Sequence, residues 1–276
     1  MFNPVDDRRP ILVLLVALVA LAWVGLWVWG ESPYGRYLSH EAIDHDDGNE
    51  VALPGLRLDG SGSVGSAAEE RTVAALFVAG WTLMTVAMML PSSLPLVGIF
   101  AGVTRRRADR PLLIGLLLAG YLGIWIGFGL LAHAGDRQVH AATHRWAWLD
   151  ERAWLIGAAT LIVAGLYQFT PLKHHCLDQC RSPLSFVMGH WRGRHERLHA
   201  LWLGVHHGLF CIGCCWSLML LMFAIGVGNL GWMLVLGAVM AAEKNLPQAR
   251  RLSRPLGVVL LAWGALVIMR GQALGL

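Results

Sequence analysis

The run Pro111–Ala134, PLLIGLLLAGYLGIWIGFGLLAHA, is not interrupted by a single Asp, Glu, Lys or Arg. An α-helix rises about 1.5 Å per residue, and a bilayer has a hydrocarbon core about 30 Å thick. About 20 apolar residues therefore cross it. In hydrocarbon every backbone N–H and C=O must find its partner within the chain, so a run of this length predicts a membrane-spanning helix. Outward from it, comparable runs recur at Ile11–Trp29, Val73–Val103, Ala153–Phe169, His199–Gly226, Leu230–Glu243 and Pro255–Met269. The expected fold class is all-α: a polytopic transmembrane helical bundle of about seven spans. Pro91 and Pro95 break or kink the second run, since proline removes a helical hydrogen bond and clashes with the preceding turn. Leu230–Glu243 is the shortest of the set.

Composition points the same way. Hydrophobic residues make up 56% of the 276 positions and charged residues 14%, with a mean hydropathy of +0.54. A soluble domain carries roughly 25% charge. The net charge of +4 does not argue for nucleic acid, because the arginines sit in short loops between apolar runs. Many of the 13 tryptophans lie near the ends of those runs, as expected at a membrane interface. The lipid bilayer is thus the expected partner, and nucleic acid is not.

Basic residues set an orientation. Arg8 and Arg9 precede the first run, and Arg105, Arg106, Arg107 and Arg110 follow the second. Lys173, Arg181, Arg192, Arg194 and Arg197 follow the fourth, and Lys244, Arg250, Arg251 and Arg254 the sixth. The intervening segments are poorer in basic residues, which predicts the N-terminus in the cytoplasm and the C-terminus outside. The first run lacks a small-residue cleavage site in Gly30-Glu31-Ser32-Pro33, so it reads as an uncleaved anchor rather than a signal peptide. Three regions follow: an anchor at 1–30, an acidic, Gly/Ser-rich extracytoplasmic loop at 31–72, and a helical bundle at 73–276. Gly123 and Gly127 form a small-xxx-small pair that suits either packing within the bundle or a dimer face.

The five cysteines are confined to Cys176–Cys215. An odd, local set argues against a disulfide framework and for ligation or redox chemistry. On a helix, residues three and four apart share a face. His207, Cys211, Cys215 and Met219 follow one another at intervals of four, Cys214 lies three after Cys211, and Met222 extends the stripe. Cys and Met also fill cores, but this column of imidazole, thiol and thioether is a soft-donor set that selects Cu(I) first and zinc next. His206 cannot share that face.

Cys176 and Cys180 form a second group. Thr170 and Pro171 read as the N-cap and first residue of a short helix ending before Pro183. That helix would align Cys176 with Cys180, half of a tetrahedral metal site that His175 or His174 could complete. A pair of reduced cytosolic thiols is the alternative. Met84 and Met88 share a face of the second run, beside Met89, and read first as packing. Glu243 and Lys244 suit pairing with each other, with a neighbouring helix, or with lipid headgroups. No phosphate-cradling Gly loop, Gly-x-Ser-x-Gly elbow or His-Glu-x-x-His is present, which argues against ATP hydrolysis.

Three segments carry a resemblance: Met88–Ser92, Thr170–Pro183 with its Cys-Leu-x-x-Cys-Arg-x-Pro, and Gly208–Met219 with its Cys-x-Gly-Cys-Cys-Trp, followed by Glu243-Lys244. Together they resemble a bacterial domain-of-unknown-function family described as predicted metal-binding integral membrane proteins, over roughly Ala68 to Arg270. The resemblance implies a membrane bundle, metal binding and a bacterial inner-membrane location.

The expected function is an inner-membrane protein that binds a soft transition metal, copper(I) before zinc, for delivery, export or insertion into a protein partner. Its expected ligands are Cys211, Cys214 and Cys215, flanked by His207 and Met219. Cys176 and Cys180, with His175, would be a cytoplasmic point of uptake or release. A membrane thiol–disulfide oxidoreductase using Cys211/Cys214 and Cys176/Cys180 is the second reading, since Cys-x-x-Cys is the spacing of dithiol exchange. A structural assembly subunit is the third.

Overall fold

A computed structural model of the chain describes residues 9–30, 67–146, 148, 152, 154–191, 196–225, 230–246 and 250–273. Most of the expected 31–72 loop therefore lies outside the described residues. Ten α-helices account for nearly all of them, and no strand occurs among them. In order they are α1 (Arg9–Gly30), α2 (Ala67–Met88), α3 (Leu90–Val103), α4 (Arg110–Arg145), α5 (Trp154–Tyr167), α6 (Pro171–Arg181), α7 (Pro183–His190), α8 (Glu196–Ile225), α9 (Leu230–Asn245) and α10 (Arg250–Ala273).

Among the described residues, four helical stretches are long and apolar enough to cross a membrane: Pro10–Gly30, Arg110–Thr143, Glu196–Met222 and Arg251–Gly271. Two broken pairs, Ala74–Met88 with Leu90–Val103 and Trp154–Tyr167 with Pro171–Arg181, raise the number to six if each counts as one span. The remaining expected span, α9, is 16 residues long, short of the roughly 20 that a perpendicular crossing needs.

Both breaks occur where proline chemistry puts them. α2 and α3 are bent by 67° around Met89. Pro91, in the first turn of α3, has no N–H to continue the ladder from α2. The Met89 carbonyl instead gathers the Ser92 hydroxyl at 2.7 Å and the Ser93 and Tyr121 hydroxyls at 3.4 Å each. α5 and α6 are bent by 66°, with Thr170 as the N-cap, its Oγ1 accepting the Lys173 N–H at 3.3 Å. This cap and Pro171 match the sequence expectation.

α4 and α8 pack most intimately. A Cβ on Gly204 would collide with the Leu117 carbonyl, and one on Gly120 with the Leu201 carbonyl. The helices approach there backbone to backbone, as small residues permit. Gly123 and Gly127 do not take part: both are exposed, and nothing lies within 4 Å of a Cβ built on either. The packing role belongs to the turn of α4 that holds Gly120. At the α3–α4 loop, Arg107 pairs with Asp109 at 2.8 Å and also with Glu196 at the start of α8. The hydrogen bond from Arg107 holds the Asp109 carboxyl below its ordinary range.

The core runs between α2, α3, α4, α6, α8 and α9, and all five cysteines are buried in it. The outer surface is apolar as well: Leu14, Leu21, Leu131, Leu166, Val259 and Leu266 are all more than half exposed.

Candidate metal centre

The expected stripe on α8 is a buried face. His207, Cys211, Cys214, Cys215, Met219 and Met222 are each at most 4% exposed. Helical spacing explains this, since the column at intervals of four and three faces the partners that cover α8.

The structure then joins what the sequence keeps apart. The bend at Thr170 folds α6 back against α8, and the Cys180 Sγ comes within 4.0 Å of the Cys214 Sγ. Cys214 lies 3.7 Å from the Cys215 Sγ, which lies 3.7 Å from the Sδ of Met89 at the α2–α3 break. Four sulfurs from three parts of the chain thus form a continuous series. Metal–thiolate bonds of about 2.3 Å at tetrahedral angles set sulfur–sulfur edges near 3.8 Å. The observed separations are of that size. Of the α6 cysteines, Cys180 thus adjoins the α8 sulfurs.

The donors are gathered but not closed on a common centre. Among the described residues no three His, Cys, Asp or Glu side chains stand ready to hold a metal ion. The Cys214 and Cys215 thiols approach the carbonyl of Cys211 at 3.1 and 2.7 Å. A thiol has one proton to give, so Cys214 directs it to that carbonyl or to a neighbouring sulfur, not to all.

Cys211 faces elsewhere. Its Sγ receives the Lys244 Nζ at 2.9 Å and meets the Tyr121 hydroxyl at 3.2 Å. Lys244 also reaches the Ser92 hydroxyl at 3.1 Å and Met89 Sδ at 3.9 Å. His207, one turn before Cys211, sets its Nε2 3.2 Å from the Ser93 hydroxyl, and its buried Nδ1 has no hydrogen-bond partner. Its ring lies against Tyr121 and Phe186.

The remaining expected residues lie at the margin. The Cys176 Sγ is wedged against the backbone of Gly213, where a Cβ would sit 2.5 Å from it. Met219 is buried further along α8 and makes none of the short sulfur contacts described above. His175 is exposed on α6, its ring 6.2 Å from that of Phe210. His206 turns to the Trp202 carbonyl at 2.8 Å.

Among the alternatives open to Glu243, pairing with neighbouring helices is the one observed. Both its oxygens accept from the Lys173 Nζ at 2.9 Å, and Oε1 also accepts from the Ser253 hydroxyl at 2.6 Å. Lys173 donates to the Gln168 side chain as well. This buried, fully bonded pair ties α6 to α9 and α10 beside the sulfurs.

Two participants escaped sequence reasoning. Met89 is rotated about 100° from the Met84/Met88 face by helical periodicity; Met88 packs near Gly237 instead. Pro91, two residues on, was the available signal that Met89 sits at a break. Lys244 had only its adjacency to Glu243 to mark it.

An open apolar groove of about 390 Å³ between α4, α5 and α8, lined by Ile156, Val163, Trp216 and Ser217, carries no thiol, imidazole or carboxylate.

Fold and site together define an all-helical bundle whose interior collects thiols and a thioether, a donor set suited to a soft metal. The chain belongs to the PpoB2 family, described as a copper chaperone, whose model matches residues 78–267. That match contains every residue of the sulfur cluster. No curated protein and no solved structure matches the chain.

Proposed function

We propose that this chain is a polytopic membrane copper chaperone that takes Cu(I) into its helical bundle and hands it to a partner protein. The observation that carries the reading is the series Cys180, Cys214, Cys215 and Met89, with adjacent sulfurs 3.7–4.0 Å apart. Thiolate and thioether together favour Cu(I) over harder ions, with zinc as the next choice. Cys211, His207, Met219 and Cys176 line the same interior and serve as neighbours through which the ion enters or leaves.

The apolar outer surface and the four long apolar helices support a multi-pass membrane location, and the resemblance noted in the sequence adds the bacterial inner membrane to the proposal. The arrangement of seven spans, N-terminus in and C-terminus out, adds the two broken pairs and α9, with 1–30 as anchor, 31–72 as extracytoplasmic loop and 73–276 as metal-binding bundle.

The thiol–disulfide oxidoreductase reading is weaker here. The Cys214 Sγ approaches the carbonyl of Cys211, and Met89 adds a thioether that dithiol exchange does not use.

The test is copper content and transfer. Full-length protein purified under reducing conditions should carry about one Cu per chain and lose it to a copper-accepting partner apoprotein. A Cys211/Cys214/Cys215→Ser triple variant that still inserts should carry none. Unchanged copper in that variant would overturn the assignment.

A further inference from the structure

Lys244 is 6% exposed, yet among the described residues no carboxylate pairs with it. The carboxylate next to it in sequence, Glu243, is committed to Lys173 and Ser253. The ammonium instead touches the Cys211 Sγ at 2.9 Å, the Ser92 hydroxyl at 3.1 Å and the Met89 Sδ at 3.9 Å. A buried charge without a compensating partner is costly. Here the compensation has to come from the sulfur cluster itself.

We propose that Lys244 is the specificity-determining counter-charge of the sulfur site and selects a monovalent soft cation over a divalent one. This rests on the copper reading above and deepens it. For any given number of thiolate ligands, a Cu(I) complex is one unit of charge more negative than the Zn(II) complex of the same ligands. A fixed ammonium beside the ligands therefore favours Cu(I) over Zn(II) by one charge–charge interaction, however many cysteines bind. Donor softness prefers Cu(I) but leaves zinc a strong competitor, because thiolates also bind zinc well. Burial strengthens the effect, since water and salt screen it little. Lys244 needs no metal bond to act; its role is electrostatic and depends on its position.

The experiment separates charge from softness by pairing ions. Full-length protein in detergent or nanodiscs is titrated against competing chelators with Cu(I) under reductant, Ag(I), Zn(II) and Cd(II). Wild type is compared with Lys244→Met, which keeps the volume, Lys244→Gln, which keeps a polar group, and Lys244→Arg, which keeps the charge. The neutral variants should weaken Cu(I) and Ag(I) relative to Zn(II) and Cd(II) by about tenfold or more, while Lys244→Arg holds the wild-type ratio. Cd(II) is soft but divalent, so it should follow Zn(II). If the neutral variants weaken all four ions alike, or none, Lys244 does not select by charge, although the copper reading stands. If wild type holds no Cu(I), the copper reading falls and the inference with it. Should Lys244→Met fail to elute as a monodisperse species, Lys244→Gln carries the same comparison.

Discussion

Gly213 has no room for a methyl group. Its Cα faces the Cys176 sulfur and its carbonyl takes the Tyr167 hydroxyl. Gly213→Ala should push α6 away from α8 and cost roughly 1–3 kcal/mol, as overpacking does, with a lower thermal midpoint in detergent and weaker copper binding. An unshifted midpoint would mean that α6 is not seated there. Met89 allows a cleaner test of ligation. Met89→Leu nearly conserves volume, so packing should change by less than about 1.5 kcal/mol, but the thioether 3.7 Å from Cys215 is gone. Cu(I) affinity should drop at least tenfold at nearly constant stability, read by chelator competition. Residues of this kind show how far the sequence speaks. The α8 stripe was legible because a period near four puts its donors on one face. Cys180 and Lys244 belong to other helices and Met89 to the α2–α3 break, and no spacing along the chain encodes their meeting with α8.

At the scale of elements, α6 is held by the buried Lys173–Glu243 pair rather than by apolar area alone. Removing one partner leaves a buried charge, so Glu243→Ala or Lys173→Met should cost about 3–5 kcal/mol. A double replacement by apolar residues of similar size should recover much of that loss. In the single variants Cys176 and Cys180 should alkylate faster, because the helix that buries them is released. If they alkylate at the wild-type rate, the pair does not hold α6. With the pair intact, bound metal should shield Cys180 and chelation should expose it; equal labelling with and without metal would remove Cys180 from the site. The long helices were legible from apolar run length, the α2–α3 bend from Pro91 and the start of α6 from Thr170-Pro171, whereas the eight-residue α7 left no such signal. That α6 folds inward was not, because its cysteines and basic residues also suit a helix lying at a membrane surface.

For the whole molecule, alternation of basic loops predicts an orientation that reporter fusions can read. A fusion in the Ala108–Asp109 loop should report cytoplasm, and one after Leu276 the opposite side. Two fusions on the same side would require an even number of crossings between them, as when α9 or the α5–α6 pair does not traverse the bilayer. The copper reading does not depend on that count, since the sulfur cluster is assembled from α6, α8 and the α2–α3 break whichever way the bundle faces. Its most direct test is X-ray absorption at the copper edge on full-length protein loaded with one equivalent of Cu(I). A Cu(I) edge with a first shell of sulfur is expected, losing sulfur in Cys180→Ser, in Cys214→Ser and in Met89→Leu. A shell dominated by nitrogen or oxygen, or a sulfur shell unchanged in all three variants, would contradict it.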